Sequence, residues 1–230
     1  MAWQKFYKQF ILYEGYVDVL KGLLVTVEVA VAGLIIGIIL GTLIAITKVI
    51  PKDKLLTKVL SVTSDVYVGF FRGTPMVVQL LIGYFVLMPA LGLHLDNVIV
   101  AIIMFGMNSG AYISEIMRSG IQSVDGGQLE AARALGLPYS KSMLKVVIPQ
   151  AIKNILPTLG NEFIVLIKET SILSFIAVVD VTKAFRAIGD ANYEYIIPYM
   201  MLALVYLVLV LLISWGVRTL ERRLKRSDRR

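Results

Sequence analysis

The chain has 230 residues, of which 57% are hydrophobic and 17% charged, with a net charge of +7, no cysteine and a single histidine. So apolar a composition excludes an ordinary water-soluble enzyme. Without cysteine there is no disulfide framework, thiol chemistry or thiolate metal site, and His94 alone makes no histidine cluster, so redox and zinc chemistry drop out and no metal site is expected.

The first apolar run begins after Lys21 and, beyond Glu28, continues without charge from Ala30 to Thr47, giving an expected membrane span over 19–47. It is a full span rather than the short core of a signal peptide, and is expected to stay in the mature protein. Gly33, Gly37 and Gly41 recur every four residues and offer a face on which another backbone can lie close. The second span is expected over 58–89. It contains Phe70-Phe71-Arg72-Gly73-Thr74-Pro75, where Pro75 lacks an amide donor and disfavours a helical residue before it, so the helix should break or kink in a protein-lined or wet setting. The third span is expected over 97–117, the fourth over 154–179 in spite of Glu162, Lys168 and Glu169, and the fifth over 195–217.

Parity carries the fourth span. Lys and Arg concentrate in three segments: Lys48, Lys52, Lys54 and Lys58; Arg118, Arg133, Lys141, Lys145 and Lys153; and Arg218, Arg222, Arg223, Lys225, Arg226, Arg229 and Arg230. Five spans place all three on one face, which the retention of positive charge identifies as the cytoplasm, whereas four would put the tail on the opposite side. Lys5, Lys8, Lys21, Lys183 and Arg186 then lie outside, and Arg72 and Lys168 within the bilayer. The expected fold is all-α: one polytopic membrane domain over 1–230 with five transmembrane helices, the N-terminus outside, the C-terminus inside, and a cytoplasmic helix-turn-helix loop over 118–153. A basic tail beside a span is a topology signal, so no nucleic-acid partner is expected.

That loop is polar yet strongly patterned. Asp125 and Gln128 have capping-box spacing, with Asp125 accepting from an exposed amide and Gln128 reaching back; a short helix should follow from about Gly126 to Leu135. Gly136 suits a left-handed helix end and Pro138 prevents continuation. Ser140 should cap a second short helix that Pro149 ends, with Met143, Leu144, Val146 and Val147 offering a buried side.

The loop resembles the membrane subunits of ATP-binding cassette importers, whose pattern is Glu-Ala-Ala, three residues, Gly, nine residues, Ile, one residue, Leu-Pro. Here it reads Glu130-Ala131-Ala132-Arg133-Ala134-Leu135-Gly136, nine residues, then Val146-Val147-Ile148-Pro149, with conservative changes at both hydrophobic positions. Similarity to the polar amino acid branch extends through Arg72-Gly73-Thr74-Pro75, Gln128 to Ala132, Leu156-Pro157, Asn161 to Ile164 and Lys168 to Ser171. The resemblance implies a permease subunit in the bacterial plasma (inner) membrane, paired with a second permease subunit as a homodimer or heterodimer, two ATPase subunits beneath and a substrate-binding protein outside. It also implies that Glu130, Ala131, Ala132 and Gly136 couple the permease to the ATPase. The chain has no Gly-x-x-x-x-Gly-Lys-Ser/Thr phosphate loop, so ATP belongs to the partner subunit, and neither a cofactor nor a catalytic residue is expected here.

Ionisable groups inside a span face a cavity or a partner. Asn108, Tyr112 and Glu115 share one helical face with Ser109 beside it, while Glu162 and Glu169 are seven apart, with Asn161 and Lys168 on the adjoining line. Arg72 is the candidate anchor for an amino acid carboxylate, and Glu162 or Glu115 for its ammonium, so that Arg72, Asn108, Tyr112, Glu115 and Glu162 form the candidate substrate site. The alternative pairs Arg72, Lys168, Glu169 and Asp65 in ion pairs that hold helices together. The segment from Asp180 to Glu194 is either a docking place for a binding protein or a solvated loop. Surplus carboxylates favour arginine, lysine or histidine as cargo; the alternatives are glutamine or another neutral or acidic amino acid, or a secondary transporter. A secondary transporter commonly shows paired repeats and a channel rings of carbonyls or charges, and neither accounts for the patterned loop.

Overall fold

The computed structural model describes residues 2–50 and 54–227, with side chains as far as Leu224. Lys52, Arg229 and Arg230, and the side chains of Lys225 and Arg226, lie outside the described residues. Among the described residues every regular element is helical. In chain order they are α1 (Ala2–Tyr7, followed by a wide π turn at Lys8–Leu12), α2 (Gly15–Val49), α3 (Leu55–Gly73) and α4 (Met76–Ile82, continuing through a π turn at Gly83–Leu87 to Met88–Ala90). Then come α5 (Asn97–Gln122), α6 (Gly126–Ala134), α7 (Tyr139–Ser142), a π turn at Met143–Val147, and α8 (Ile148–Glu169), which tightens to a 3-10 turn at Thr170–Ile176. The last two are α9 (Val181–Asp190) and α10 (Ile196–Ser227).

Helices α2, α5 and residues Ile196–Leu224 of α10 are each long and apolar enough to cross a membrane, and α3 with Met76–Ala90 qualifies as a pair bent by 110°. From Ala30 to Thr47 helix α2 carries no charge on any face, so its protein-facing side is marked by size rather than polarity: the buried positions run Gly22, Thr26, Val29, Ala30, Gly33, Gly37, Gly41 and Ala45. A Cβ on Gly37 would stand 2.7 Å from Ser109 Oγ and one on Gly41 2.7 Å from Ile113 Cγ2, while Gly106 and Gly110 of α5 receive Ile36 and Leu40 in return. The expected packing face is therefore a two-sided glycine seam. Its contacts climb together, Gly33 on Phe105, Gly37 on Ser109 and Gly41 on Ile113, so α2 and α5 run parallel.

The expected break at Pro75 is present. Thr74 and Pro75 are both extended, and the carbonyls that the ending helix leaves open are met from within. Gln79 Nε2 donates to Phe71 O at 2.8 Å and to Thr74 O at 2.9 Å, and Asn108 Nδ2 donates to Gln79 Oε1 at 2.8 Å. Helix α8 runs antiparallel to α5, since Ser109 meets Glu162 while Gly120 meets Ile155. Helix α10 is antiparallel to α8, with Val217 against Gly160 and Tyr206 near Thr170.

The loop differs from its sequence reading in four respects. Asp125 caps α6 by accepting from Gly127 N at 2.8 Å, but the Gln128 side chain accepts from Gln150 across the bracket instead of reaching back. Gly136 is left-handed (φ +84°), and the amides of Gly136 and Leu137 donate to Arg133 O and Ala132 O in a Schellman closure. The second helix begins after Pro138 without a side-chain cap, so Ser140 is not the cap. Nor does Pro149 end the helix. The π turn at Met143–Val147 widens the backbone where the missing amide and the proline ring would otherwise disrupt the bond to residue 145, and the helix passes on into α8. Pro89 follows the π turn at Gly83–Leu87 in the same way. Met143 and Val147 are buried as expected, but Leu144 is exposed.

The segment after Asp180 is an ordered amphipathic helix rather than a solvated loop. Asp180 is fully buried and accepts from Thr182 N and Lys183 N; burial pushes its carboxyl above the usual range, and those amides pull it back. Val181, Ala184, Phe185 and Ile188 form a second core with Phe6 and Val19, and Phe10 stacks on Phe185.

Replacing Gly37 with leucine should destabilise the protein by about 2 kcal/mol, because a side chain there overpacks against α5. Gly216→Leu, where nothing lies within 4 Å, should be tolerated. Thermal unfolding of the two variants in detergent tests this; equal midpoints would show that the seam does not hold α2 on α5.

Candidate functional site

Three polar constellations lie along α5, spaced by its own rise of about 1.5 Å per residue. The first is the suture of the break. Asn108 is buried, and its amide also lies 3.4 Å from Phe71 O. Asn108 thus joins α5 to the α3–α4 junction through Gln79, a residue that sequence reasoning did not single out. Its signal was present: Gln79 is the one amide in the charge-free run from Gly73 to Leu93.

One position further along, Ser109 Oγ donates to Glu162 Oε1 at 3.2 Å. Glu162 is buried in α8, and among the described residues Ser109 is its hydrogen-bond partner, with no cation bonded to it. Nearby on α8, Asn161 and Lys168 are exposed and Glu169 is half-buried.

The third constellation is a cage around Glu115, about 10 Å beyond Asn108 along the helix. Lys48 Nζ donates to its Oε1 at 2.7 Å, and Arg118 donates to its Oε2 from both Nε (3.1 Å) and Nη2 (2.8 Å). Arg72 Nη1 stands 3.7 Å from the same carboxylate, with its guanidinium over the Tyr112 ring, 5.5 Å from the centroid. Asp65 closes the cluster through Lys48 at 3.2 Å. Arg72, Tyr112 and Glu115 are therefore brought together, whereas Asn108 and Glu162 sit deeper along α5, each with its own partner. Lys48 and Arg118 entered the sequence reading as markers of topology; that both bond Glu115 depends on how α2 seats on α5.

On the loop, Glu130 and Ala131 are exposed, Gly136 has open space around it, and Leu135 is 84% exposed, whereas Ala132 is buried beneath α6. The outward side of α6 is thus a ridge carrying Glu130, Ala131 and the Leu135-Gly136 turn.

Several helices long and apolar enough to cross a membrane, joined to an ordered helix-turn-helix loop, define a polytopic membrane protein. Residues 33–226 match the family described as "Binding-protein-dependent transport system inner membrane component", and the chain belongs to that family. It is a permease subunit of an ATP-binding cassette transporter, a multi-pass protein of the inner membrane and not an enzyme. Among its relatives are the arginine transport system permease protein ArtQ of Bacillus subtilis (41% identical, covering 91% of this chain and 94% of that one) and the putative glutamine transport system permease protein GlnP of Rickettsia bellii (40%, covering 90% and 92%). Among solved structures, an amino acid ABC transporter crystallised with histidines superposes with a TM-score of 0.85 at 38% identity, covering 92% of this chain and 96% of that one. The MetNI methionine ABC transporter in an inward-facing conformation shares the fold at a TM-score of 0.72 and 18% identity, over 90% of this chain and 95% of its own.

Lys48→Met should lower stability by about 1.5 kcal/mol, since Glu115 loses one charged hydrogen bond and keeps those from Arg118. The double variant Lys48→Met/Glu115→Met should cost less than the sum of the two single variants. A double-mutant cycle on thermal unfolding measures the coupling; additive losses would mean that the pair contributes nothing to holding α2 on α5.

Proposed function

We propose that the chain lines the translocation path of an importer that moves polar amino acids into the cytoplasm, driven by ATP hydrolysis in a separate subunit and fed by an extracytoplasmic substrate-binding protein. The path would be enclosed with a second permease subunit. The observation that carries this reading is Glu162, a buried carboxylate held by a hydroxyl and by no cation, which suits it to meet an ammonium or guanidinium from the cargo. Basic amino acids are the favoured cargo, and the arginine relative agrees with that. A second reading, glutamine, draws support from the glutamine relatives and from Glu115, whose charge Lys48 and Arg118 already neutralise, so that Glu162 is the carboxylate still open to cargo. Arg72, loosely paired and half exposed beside Tyr112, is the candidate anchor for the cargo's carboxylate, with Asn108 and Glu115 shaping the wall.

The five-span topology is supported by helix directions: α2 and α5 are parallel, so the bent α3–α4 pair must carry the chain back between them, and α8 and α10 then alternate; an outside N-terminus rests on the distribution of Lys and Arg. The chain has no cysteine, so single cysteines report sidedness directly. Tyr193→Cys should react with a membrane-impermeant maleimide on intact cells, and Leu135→Cys only after permeabilisation; the reverse pattern would invert the orientation.

The exposed ridge of Glu130, Ala131 and Gly136 is the surface offered to the ATPase, with Ala132 seating α6 from beneath. Uptake into proteoliposomes containing the complex and its binding protein, across labelled arginine, lysine, histidine, glutamine and glutamate, tests the whole reading. ATP-dependent accumulation of a basic amino acid is expected, reduced roughly ten- to hundred-fold by Glu162→Gln. Gly136→Trp should abolish uptake while Gly136→Asn, compatible with a positive φ, retains it. Glutamine alone would shift the cargo to the second reading, and accumulation without ATP would sink the mechanism.

A further inference from the structure

A cavity of about 670 Å³, lined by none of the residues that make up the three polar constellations, lies where the ends of α2 and α5 meet α7 and the start of α8. Its volume is within the range of ligand pockets, roughly 300–1,000 Å³. The walls are largely apolar: Ile46 from α2 and Ile50 just after it, Met117 and Ile121 from α5, Leu144 from the π turn and Ile152 from α8. Thr42, the polar wall residue nearest the α2–α5 seam, spends its hydroxyl on Ile38 O and Met117 Sδ. Ile46, Ile50, Leu144 and Ile152 are all exposed, an arrangement that water does not reward but hydrocarbon does.

Charge says which hydrocarbon. From Ala131 to Asn161 the chain has no Asp or Glu, yet it carries Arg133, Lys141, Lys145 and Lys153. Lys141 adjoins the lining residue Ser140, Lys145 adjoins Leu144, and both lysines are exposed. We propose that this cavity holds an acyl chain of an anionic phospholipid of the cytoplasmic leaflet, whose headgroup is met by Lys141 and Lys145. The leaflet, though not the chemistry, rests on the orientation proposed above. Because the walls come from both the spanning helices and the loop, the lipid would bridge the ridge that faces the ATPase to the helices that carry Glu115 and Glu162.

The test is photolabelling of the intact permease–ATPase complex in phosphatidylcholine nanodiscs. These contain a trace of phosphatidylglycerol or of phosphatidylcholine with a diazirine in the acyl chain, and labelled peptides are mapped by mass spectrometry. The phosphatidylglycerol probe should label the segments around Ile46, Met117 and Leu144. Each lysine contributes about five-fold near an anionic headgroup, so Lys141→Gln/Lys145→Gln should reduce that labelling about thirty-fold. Ile152→Trp, which fills the cavity, should block labelling without altering the unfolding midpoint. Equal labelling by both probes, no label in these segments, or crosslinks from Leu144→Cys to a second copy or to the ATPase would each overturn the proposal, the last by showing that protein covers the cavity. Labelling is read without transport, so a complex that takes up lipid as expected but fails to import amino acids would refute the function and leave the lipid site standing.

Discussion

The backbone-close seating of α2 on α5 sets the register of everything else. With Gly33, Gly37 and Gly41 facing Phe105, Ser109 and Ile113, the two axes approach until side chains of one lie against the backbone of the other. Lys48, two turns beyond Gly41, is thereby delivered to Glu115, just past Ile113. A shift of one turn along the seam would part Lys48 from Glu115, leaving the lysine without that partner while Glu115 keeps Arg118 of its own helix. The seam also fixes direction: because the helices are parallel, the intervening chain has to return across the same thickness, and it does so with a helix broken at Pro75 rather than a straight rod.

The polar groups along α5 fall into two kinds. Asn108 and Glu115 are satisfied several times over, the first by Gln79 at the break and the second by Lys48 and Arg118. Groups so engaged stiffen the bundle and hold neighbouring helices in place. Glu162 of α8 differs, with one long hydrogen bond from Ser109 and, among the described residues, no cation bonded to it. A buried carboxylate in that state is costly to maintain, and a site that meets a cation part of the time is a reason for the fold to carry it.

Much of this was legible in the sequence because membranes impose strong rules. The distribution of Lys and Arg, the charge-free runs, Pro75 and the Asp125 to Gly136 pattern each follow from local chemistry, and the structure has the break, the Asp125 cap and the left-handed Gly136 where they were expected. What was not legible depends on tertiary register or on backbone accommodation. Nothing in the sequence near Lys48 names Glu115, 67 residues away, as its partner. Pro149 reads as a terminator, yet it follows a π turn that lets the helix continue, as Pro89 does. Helix α9 was missed for a different reason: its charges drew attention away from the i, i+3, i+4, i+7 spacing of Val181, Ala184, Phe185 and Ile188, a readable amphipathic signal.

The continuity at Pro149 bears on how a loop can act at a distance. Had the second loop helix ended there, the bracket would connect to the bundle through a flexible joint and its movements would be absorbed locally. Instead the helical path from Tyr139 passes through one π turn into α8 and reaches Glu162 without a loop. About 30 Å of helix separates Ser142 from Glu162, and a packed helix of that length moves as a body rather than bending residue by residue. Pro157 leaves a missing amide within that path, and the π turn a widened backbone, so compliance is confined to two identifiable places. A force applied at the Gly136 ridge therefore has a stiff route to Glu162, the buried carboxylate of α8.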